Sequence, residues 1–174
     1  MEENISELFT RPTTRRMARG KMEHRIAAFL AAHNTCVLAT CNNNLPQATP
    51  IEYYAHHLNL YMIVDPGTKL ENLKVNPNVS VGINEPLSGW LSIRGLQIFG
   101  QATLIQDNQP EYDTAMQYYN WRFLGEALGY TEAPRGHILA RITPIRIKLT
   151  EFGLKQEGYA PTQVWQAKTQ EINP

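Results

Sequence analysis

The sequence predicts an α+β domain that is mainly β, with six antiparallel strands curled into a barrel and a few flanking helices. Short apolar runs with β-type alternation occur between residues 36 and 105 and again between 138 and 149. Most of these runs are joined by short turns, which favours antiparallel pairing. Helical spacing is confined to three stretches, near residues 14–33, 68–75 and 110–128. Closing such a sheet into a barrel removes its exposed edges.

Composition and length indicate one globular domain. The chain has 174 residues, of which 43% are hydrophobic and 18% charged, and this composition suits a packed core. We therefore expect a single domain over 1–174, with an N-terminal arm at 1–20 and a C-terminal tail at 153–174. Sixteen basic and 16 acidic residues give a formal net charge of zero. This balance predicts no general attraction to nucleic acid or to anionic membranes.

The expected location is the cytoplasm. The first 16 residues are polar, so no signal peptide is expected, and no apolar stretch is long enough to span a bilayer. The two cysteines, Cys36 and Cys41, lack the second pair that a zinc site would need, and we expect both to be reduced thiols. No metal site is predicted.

The first helix is predicted over residues 14–33. Residues at helical spacing form one of its faces: Met22, Ile26, Phe29, Leu30 and His33. Its start is strongly basic: Arg11, Arg15, Arg16, Arg19, Lys21 and Arg25. A solvated helix face is the favoured interpretation of these charges. The alternative is a patch that meets a phosphate group or a partner subunit.

The next three strands are predicted to form a β-meander. Residues 36–40 form a short buried strand, and the three asparagines that follow form a turn. A second strand is predicted over 47–54, where Pro50 requires a free edge or a bulge. A third is predicted over 60–64.

In the second half, alternation predicts strands at 79–83 and 90–105, with Gly95 and Gly100 as kinks or bulges. A single helix is predicted over 110–128. In the last strand the buried phase slips by one residue at positions 143–144, which requires a bulge or a corner there.

The best local signal for chemistry is the sequence DPGTK at residues 65–69. Thr68 and Glu71 fit a capping box, so a helix is predicted to begin at this point. A helix N-terminus presents unpaired N–H groups and the positive end of the helix dipole, and both favour an anion. The Thr68 hydroxyl and the Lys69 charge would add to an anion site, although many solvated helices begin in the same way.

The order of motifs around this loop resembles a known family. Residues 45–51 and 60–64 precede the loop, and Asn72 and an Asn-Pro pair at 76–77 follow it. Residues 94–102 then form a strand rich in glycine. The pattern resembles the flavin-binding split-barrel family typified by pyridoxamine 5′-phosphate oxidase, over about residues 26–152.

This resemblance implies a split-barrel fold and a homodimer with flavin mononucleotide (FMN) at the subunit interface. It implies that residues 49–51 line the flavin ring and that residues 63 and 64 lie beneath the ring or the ribityl chain. It also implies that residues 67–69 hold the phosphate near residue 72. Residues 94 and 95 would approach from the second subunit. The implied cofactor-binding residues are Thr49, Pro50, Ile51, Ile63, Val64, Gly67, Thr68, Lys69, Asn72, Arg94 and Gly95.

Three departures indicate a relative of the oxidase rather than the oxidase proper. Thr49 stands where the family's oxidase has an arginine, and Gly95 stands where it has a glutamine. Trp165 is present in the tail, but no arginine follows Arg146. A vitamin phosphate substrate would be expected to need a guanidinium clamp.

The function implied is an FMN-dependent oxidoreductase that acts on a small substrate. No side chain stands out as a general acid or base, so a flavin store or redox sensor without turnover is a second hypothesis. Haem binding through His56 or His57 is a third, and a deazaflavin-dependent reductase that uses Lys69 and the basic arm is a fourth.

Overall fold

The computed structural model describes residue 10 and residues 12–168, apart from the side chain of residue 124. The helices are α1 (Arg19–Ala31), α2 (Thr68–Val75), α3 (Tyr112–Tyr118) and α4 (Trp121–Leu128), with 3-10 turns at Trp90–Ser92 and Phe152–Lys155. The strands are β1 (Thr35–Asn42), β2 (Leu45–Glu52), β3 (Tyr54–His56), β4 (Asn59–Ile63), β5 (Asn78–Asn84), β6 (Arg94–Ile105), β7 (Leu139–Glu151) and β8 (Thr162–Gln166).

The strands form one antiparallel sheet in the order β2-β1-β5-β6-β7-β4-β3, with β8 paired to β7. The prediction of a mainly β, antiparallel split-barrel fold with flanking helices is confirmed. The strand number was wrong, because the described residues contain eight strands and not six. β3 is separate from β2, and β8 lies in the predicted C-terminal tail, where no strand was predicted.

The predicted β-meander is also wrong. β2 pairs with β1 alone, whereas β4 pairs with β3 and β7 at the other end of the sheet. Tyr53 explains the break, because its ring is fully buried and its hydroxyl donates to the Leu30 carbonyl at 3.1 Å. Its backbone N–H donates to the Asn34 carbonyl at 2.8 Å, so the chain leaves β2 at this residue.

Helix α1 is shorter than predicted and begins at Arg19. Its predicted inner face is confirmed for Met22, Ile26, Phe29 and Leu30, which are all buried. The preceding residues 12–18 are not helical because they pair with the C-terminal part of the chain. For example, the Ala160 N–H donates to the Arg15 carbonyl at 3.0 Å.

The basic residues in and just before α1 contact the C-terminal segment, and Arg15, Arg16 and Lys21 remain exposed, as expected for a solvated face. Arg25 pairs with Glu151 and Glu157, and Lys21 pairs with Glu157. Arg16 donates to the Thr162 carbonyl at 2.8 Å. These charges therefore join the N-terminal helix to the C-terminal segment; position 11 lies outside the described residues.

The phase slip in β7 is a β-bulge, as predicted. Phe99 lies opposite Arg146 and Gly100 lies opposite Pro144, so Ile145 is the extra residue. A Cβ added to Gly100 would lie 2.6 Å from the Thr143 carbonyl oxygen. Glycine is therefore the residue that allows β6 and β7 to approach at the bulge.

The helix predicted over 110–128 is two helices. Asn120 adopts left-handed backbone angles (φ 58) and ends α3 before α4 begins. These helices cover one face of β4 and β7, where Tyr61 and Leu139 pack with Tyr119. The opposite face of β4 enters the main core. None of the helices in the described part of the chain has both the length and the apolar character needed to cross a membrane.

Candidate functional site

The β1–β2 hairpin places the predicted ring-binding segment beside the buried face of β1. Thr49 lies opposite Leu38, and Ile51 lies opposite Cys36. Directly opposed residues share a face of the sheet, so Thr49 and Ile51 lie on the side of β1 that is buried. Pro50 lies opposite the exposed Val37 and belongs to the outer face.

Helix α2 begins one residue earlier than the predicted capping box requires, because Thr68 was expected to be the N-cap. Gly67 is the N-cap (φ 142), no side chain caps the helix, and Thr68 is its first helical residue. The capping box is therefore not formed, and the Glu71 carboxylate pairs with Lys74 at 2.9 Å instead. The Glu71 N–H donates to the Gly67 carbonyl at 3.1 Å. The three N–H groups before it, at residues 68–70, have no acceptor among the described residues.

The N-terminus of α2 lies over the same face of β1. Burial raises the pKa of the Cys36 thiol to about 12, and the nearby Lys69 charge opposes that rise. The Asn72 amide donates to the Thr40 hydroxyl at 3.0 Å. Cys36 and Thr40 thus hold α2 against β1, the strand that pairs with the Ile51 strand. Because its pKa is raised, the Cys36 thiol stays protonated near neutral pH.

Ile63 and Val64 point to opposite sides of the sheet. Val64 is 1% exposed in the main core, and its N–H donates to the Ile138 carbonyl at 2.8 Å. Ile63 is partly buried and packs against the cluster that contains Tyr119. Only Ile63 therefore presents a side chain on the face covered by α3 and α4.

Arg94 and Gly95 lie on β6 and are held within the chain. The Arg94 guanidinium lies 3.3 Å from Glu85, 3.4 Å from Glu151 and 4.9 Å from the Phe29 ring centroid. A Cβ on Gly95 would lie 2.8 Å from the Ile83 carbonyl oxygen, so close strand packing accounts for this glycine. Their predicted role in a partner's site stays a prediction.

Sequence reasoning missed a carboxylate–phenol cluster next to the ring-binding segment. Glu52 directly follows Ile51 and accepts a hydrogen bond from the Tyr119 hydroxyl at 3.4 Å. Burial and the Glu52 charge raise the pKa of Tyr119 and of Tyr54. Tyr119 directly follows α3 and is more than 60 residues away in sequence, so residue spacing gave no signal for this contact.

Of the two adjacent histidines, His56 ends β3 and His57 lies in the turn that follows. The His56 ring stacks on Tyr118 with centroids 3.8 Å apart, and burial lowers the pKa of His56. His57 has left-handed backbone angles (φ 54) at the turn. Within residues 12–168, no three His, Cys, Asp or Glu side chains are grouped to hold a metal ion.

Comparison with known proteins places this fold. A family model described as pyridoxamine 5′-phosphate oxidase matches residues 22–154. A comparison with curated protein sequences gives no match.

Three solved structures share the fold. A candidate pyridoxamine 5′-phosphate oxidase of Listeria innocua is 24% identical, with a TM-score of 0.61 over 74% of this chain and 97% of that one. A FAD-binding protein of Mesorhizobium loti is 23% identical, with a TM-score of 0.57 over 76% and 92%. A haem-binding protein of Mycobacterium smegmatis is 19% identical, with a TM-score of 0.62 over 88% and 60%. Together, the family match over most of the chain and the shared fold show that this protein belongs to the pyridoxamine 5′-phosphate oxidase family.

Proposed function

We propose that the protein binds FMN and acts as an oxidoreductase on a small substrate, as a homodimer with two flavin sites. The observation that carries this proposal is that the α2 N-terminus with Lys69 lies on the same face of β1 as the side chains of Thr49 and Ile51. Family membership and the FAD-binding relative support a flavin ligand.

The α2 N-terminus fits the phosphate group of FMN. The N–H groups of residues 68–70 have no acceptor among the described residues, and Lys69 makes no ion pair with a described carboxylate. Nothing lies within 4 Å of the position that a Cβ on Gly67 would take, so a ligand has room to approach this backbone. Backbone donors, a helix dipole and a lysine together form a suitable phosphate site.

The edge strand β2 fits the flavin ring. It pairs with β1 alone among the described strands, so its outer backbone groups are available to hydrogen-bond with ring nitrogens and oxygens. Ile51 is partly buried and adds apolar contact. When bound, FMN would supply the electron transfer, and the protein would position it and shield it from water. Glu52 directly follows this segment, and its carboxylate accepts the hydrogen bond from Tyr119.

Haem ligation by His56 is not proposed. Its ring is stacked on Tyr118, and ligation would require this contact to break. A deazaflavin would use the same phosphate site, and identification of the bound chromophore distinguishes it from FMN.

Replacing Lys69 by alanine should weaken FMN binding about 10- to 100-fold, because a charge-assisted hydrogen bond contributes about 1.5–3 kcal/mol. The fold should be unaffected, since Lys69 makes no ion pair with a described carboxylate. Fluorescence titration of the apoprotein with FMN measures this change.

The matched control is Lys74→Ala on the same helix, where the lysine is exposed and pairs with Glu71. Its FMN affinity should equal that of the unmodified protein. Equal affinities for the two variants would refute the phosphate site. Turnover is tested separately, by following oxidation of a nicotinamide donor in the FMN-loaded protein.

A further inference from the structure

A second cavity lies apart from the proposed flavin site. It has a volume of about 560 Å³, is open to solvent, and is lined by residues of α1, the β3–β4 turn, the β7 bulge and β8. Its size falls within the range of small-molecule sites. Asn59 lines it at the start of β4, whereas Ile63 ends that strand, so the two sites are separated by roughly 13 Å along β4.

One wall of the cavity is fixed by a three-residue contact. The Trp165 indole N–H donates to Glu23 at 2.6 Å, and the Arg19 Nε lies 2.7 Å from the same carboxylate oxygen. The Arg19 guanidinium also lies 5.1 Å from the Trp165 ring centroid and donates to the Gln166 carbonyl at 2.8 Å. The Glu23 charge is therefore balanced before any ligand binds.

The other polar groups of the cavity can each donate a hydrogen bond, although they can also accept one. The side chains of His24, Asn59 and Thr143 line it and make no hydrogen bond or ion pair with another described residue. His57 also lines it and contacts the edge of the His56 ring, with centroids 4.4 Å apart. Imidazole, amide and hydroxyl groups can all donate to an oxyanion.

Short apolar side chains form the rest of the lining: Ala27, Leu58, Pro144 and Ala167. Their small size leaves room for a flat apolar group next to Trp165. We propose that this cavity binds a small aromatic oxyanion, a carboxylate or a phosphate, independently of the flavin. A cation is disfavoured because Arg19 already neutralises Glu23, the only carboxylate among the described residues that line the cavity.

Calorimetric titration with three naphthalene probes tests this proposal: 2-naphthoate, 2-naphthyl phosphate and the neutral 2-naphthylmethanol. We expect one anion to bind per chain, with the neutral probe at least about tenfold weaker, since the donors would lose their charged acceptor. The stronger of the two anions identifies the acid group. Equal binding of the neutral probe, or no binding of either anion up to about 1 mM, would overturn the proposal.

Two variants locate the binding. The double variant His24→Ala/His57→Ala should lower the affinity for the anion about tenfold, because it removes two donors. Ala27→Phe should abolish binding by filling the cavity. The control His137→Ala changes a histidine outside the cavity lining and should leave binding unchanged. Unchanged affinity in both cavity variants would overturn the assignment.

FMN titration of the same variants separates this proposal from the flavin proposal. Ala27→Phe should keep the FMN affinity of the unmodified protein, and Lys69→Ala should keep its naphthoate affinity. Loss of naphthoate binding in Lys69→Ala would place the anion at α2 and overturn the second site. If the protein binds naphthoate as expected but no FMN, only the flavin proposal fails.

Discussion

Replacing Glu151 by alanine should destabilise the protein by about 3–5 kcal/mol, the typical cost of removing one partner from a buried ion pair. Glu151 is 8% exposed and accepts two hydrogen bonds from Arg25, at 2.6 and 2.8 Å. The Arg94 Nε lies 3.4 Å from the same carboxylate. The hydrogen bond with Glu151 also raises the pKa of Arg25, against the opposing effect of burial. Loss of this carboxylate would leave two partly buried guanidinium groups without their shared partner.

Urea unfolding of the variant measures the change, with Glu157→Ala as the matched control. Glu157 also pairs with Arg25, but its side chain is 38% exposed, and exposed pairs contribute about 0–1 kcal/mol. A similar loss of stability in the two variants would show that the buried carboxylate is not the centre of this ion-pair network.

Replacing Gly100 by alanine should destabilise the protein by about 1–3 kcal/mol through overpacking. The new Cβ would lie 2.6 Å from the Thr143 carbonyl oxygen and 3.2 Å from the Ile142 side chain. Because the nearest atom belongs to the backbone of the β7 bulge, relief of the contact requires the two strands to separate.

Gly82→Ala is the matched control for this prediction, since Gly82 is also in a strand but has nothing within 4 Å of an added Cβ. Thermal unfolding should show a lower midpoint for Gly100→Ala and little change for Gly82→Ala. Equal midpoints would contradict the close approach of β6 and β7 at the bulge.

The strands that alternate strictly could be predicted from the sequence. β5 alternates buried and exposed residues along its length, and the register slip in β7 revealed the bulge opposite Gly100. In both cases a period of two residues reports directly which face is buried. The first helix was also recognised from its buried face, but at helical spacing.

Strand order could not be predicted, because alternation is a local property and pairing is not. The meander prediction failed at Tyr53, whose burial against the chain near Leu30 separates β2 from β3. The predicted long helix failed at Asn120, a residue that tolerates left-handed angles but does not require them.

The candidate site shows the same limit. Adjacent residues in extended backbone face opposite sides, as Ile63 and Val64 do here, and their predicted contacts with a flavin stay a prediction. Long-range contacts, such as that of Tyr119 with Glu52, depend on how α3 packs on the sheet. By contrast, the DPGTK loop was identified correctly as the start of a helix, because its glycine and the following helical residues are contiguous.

The visible absorption spectrum of the purified protein, followed by release and identification of its chromophore, tests FMN binding most directly. We expect a two-band yellow spectrum and about one FMN released per chain, either as purified or after incubation with FMN. A protein that stays colourless after FMN is added, or that shows a sharp Soret band instead, would contradict the proposed cofactor.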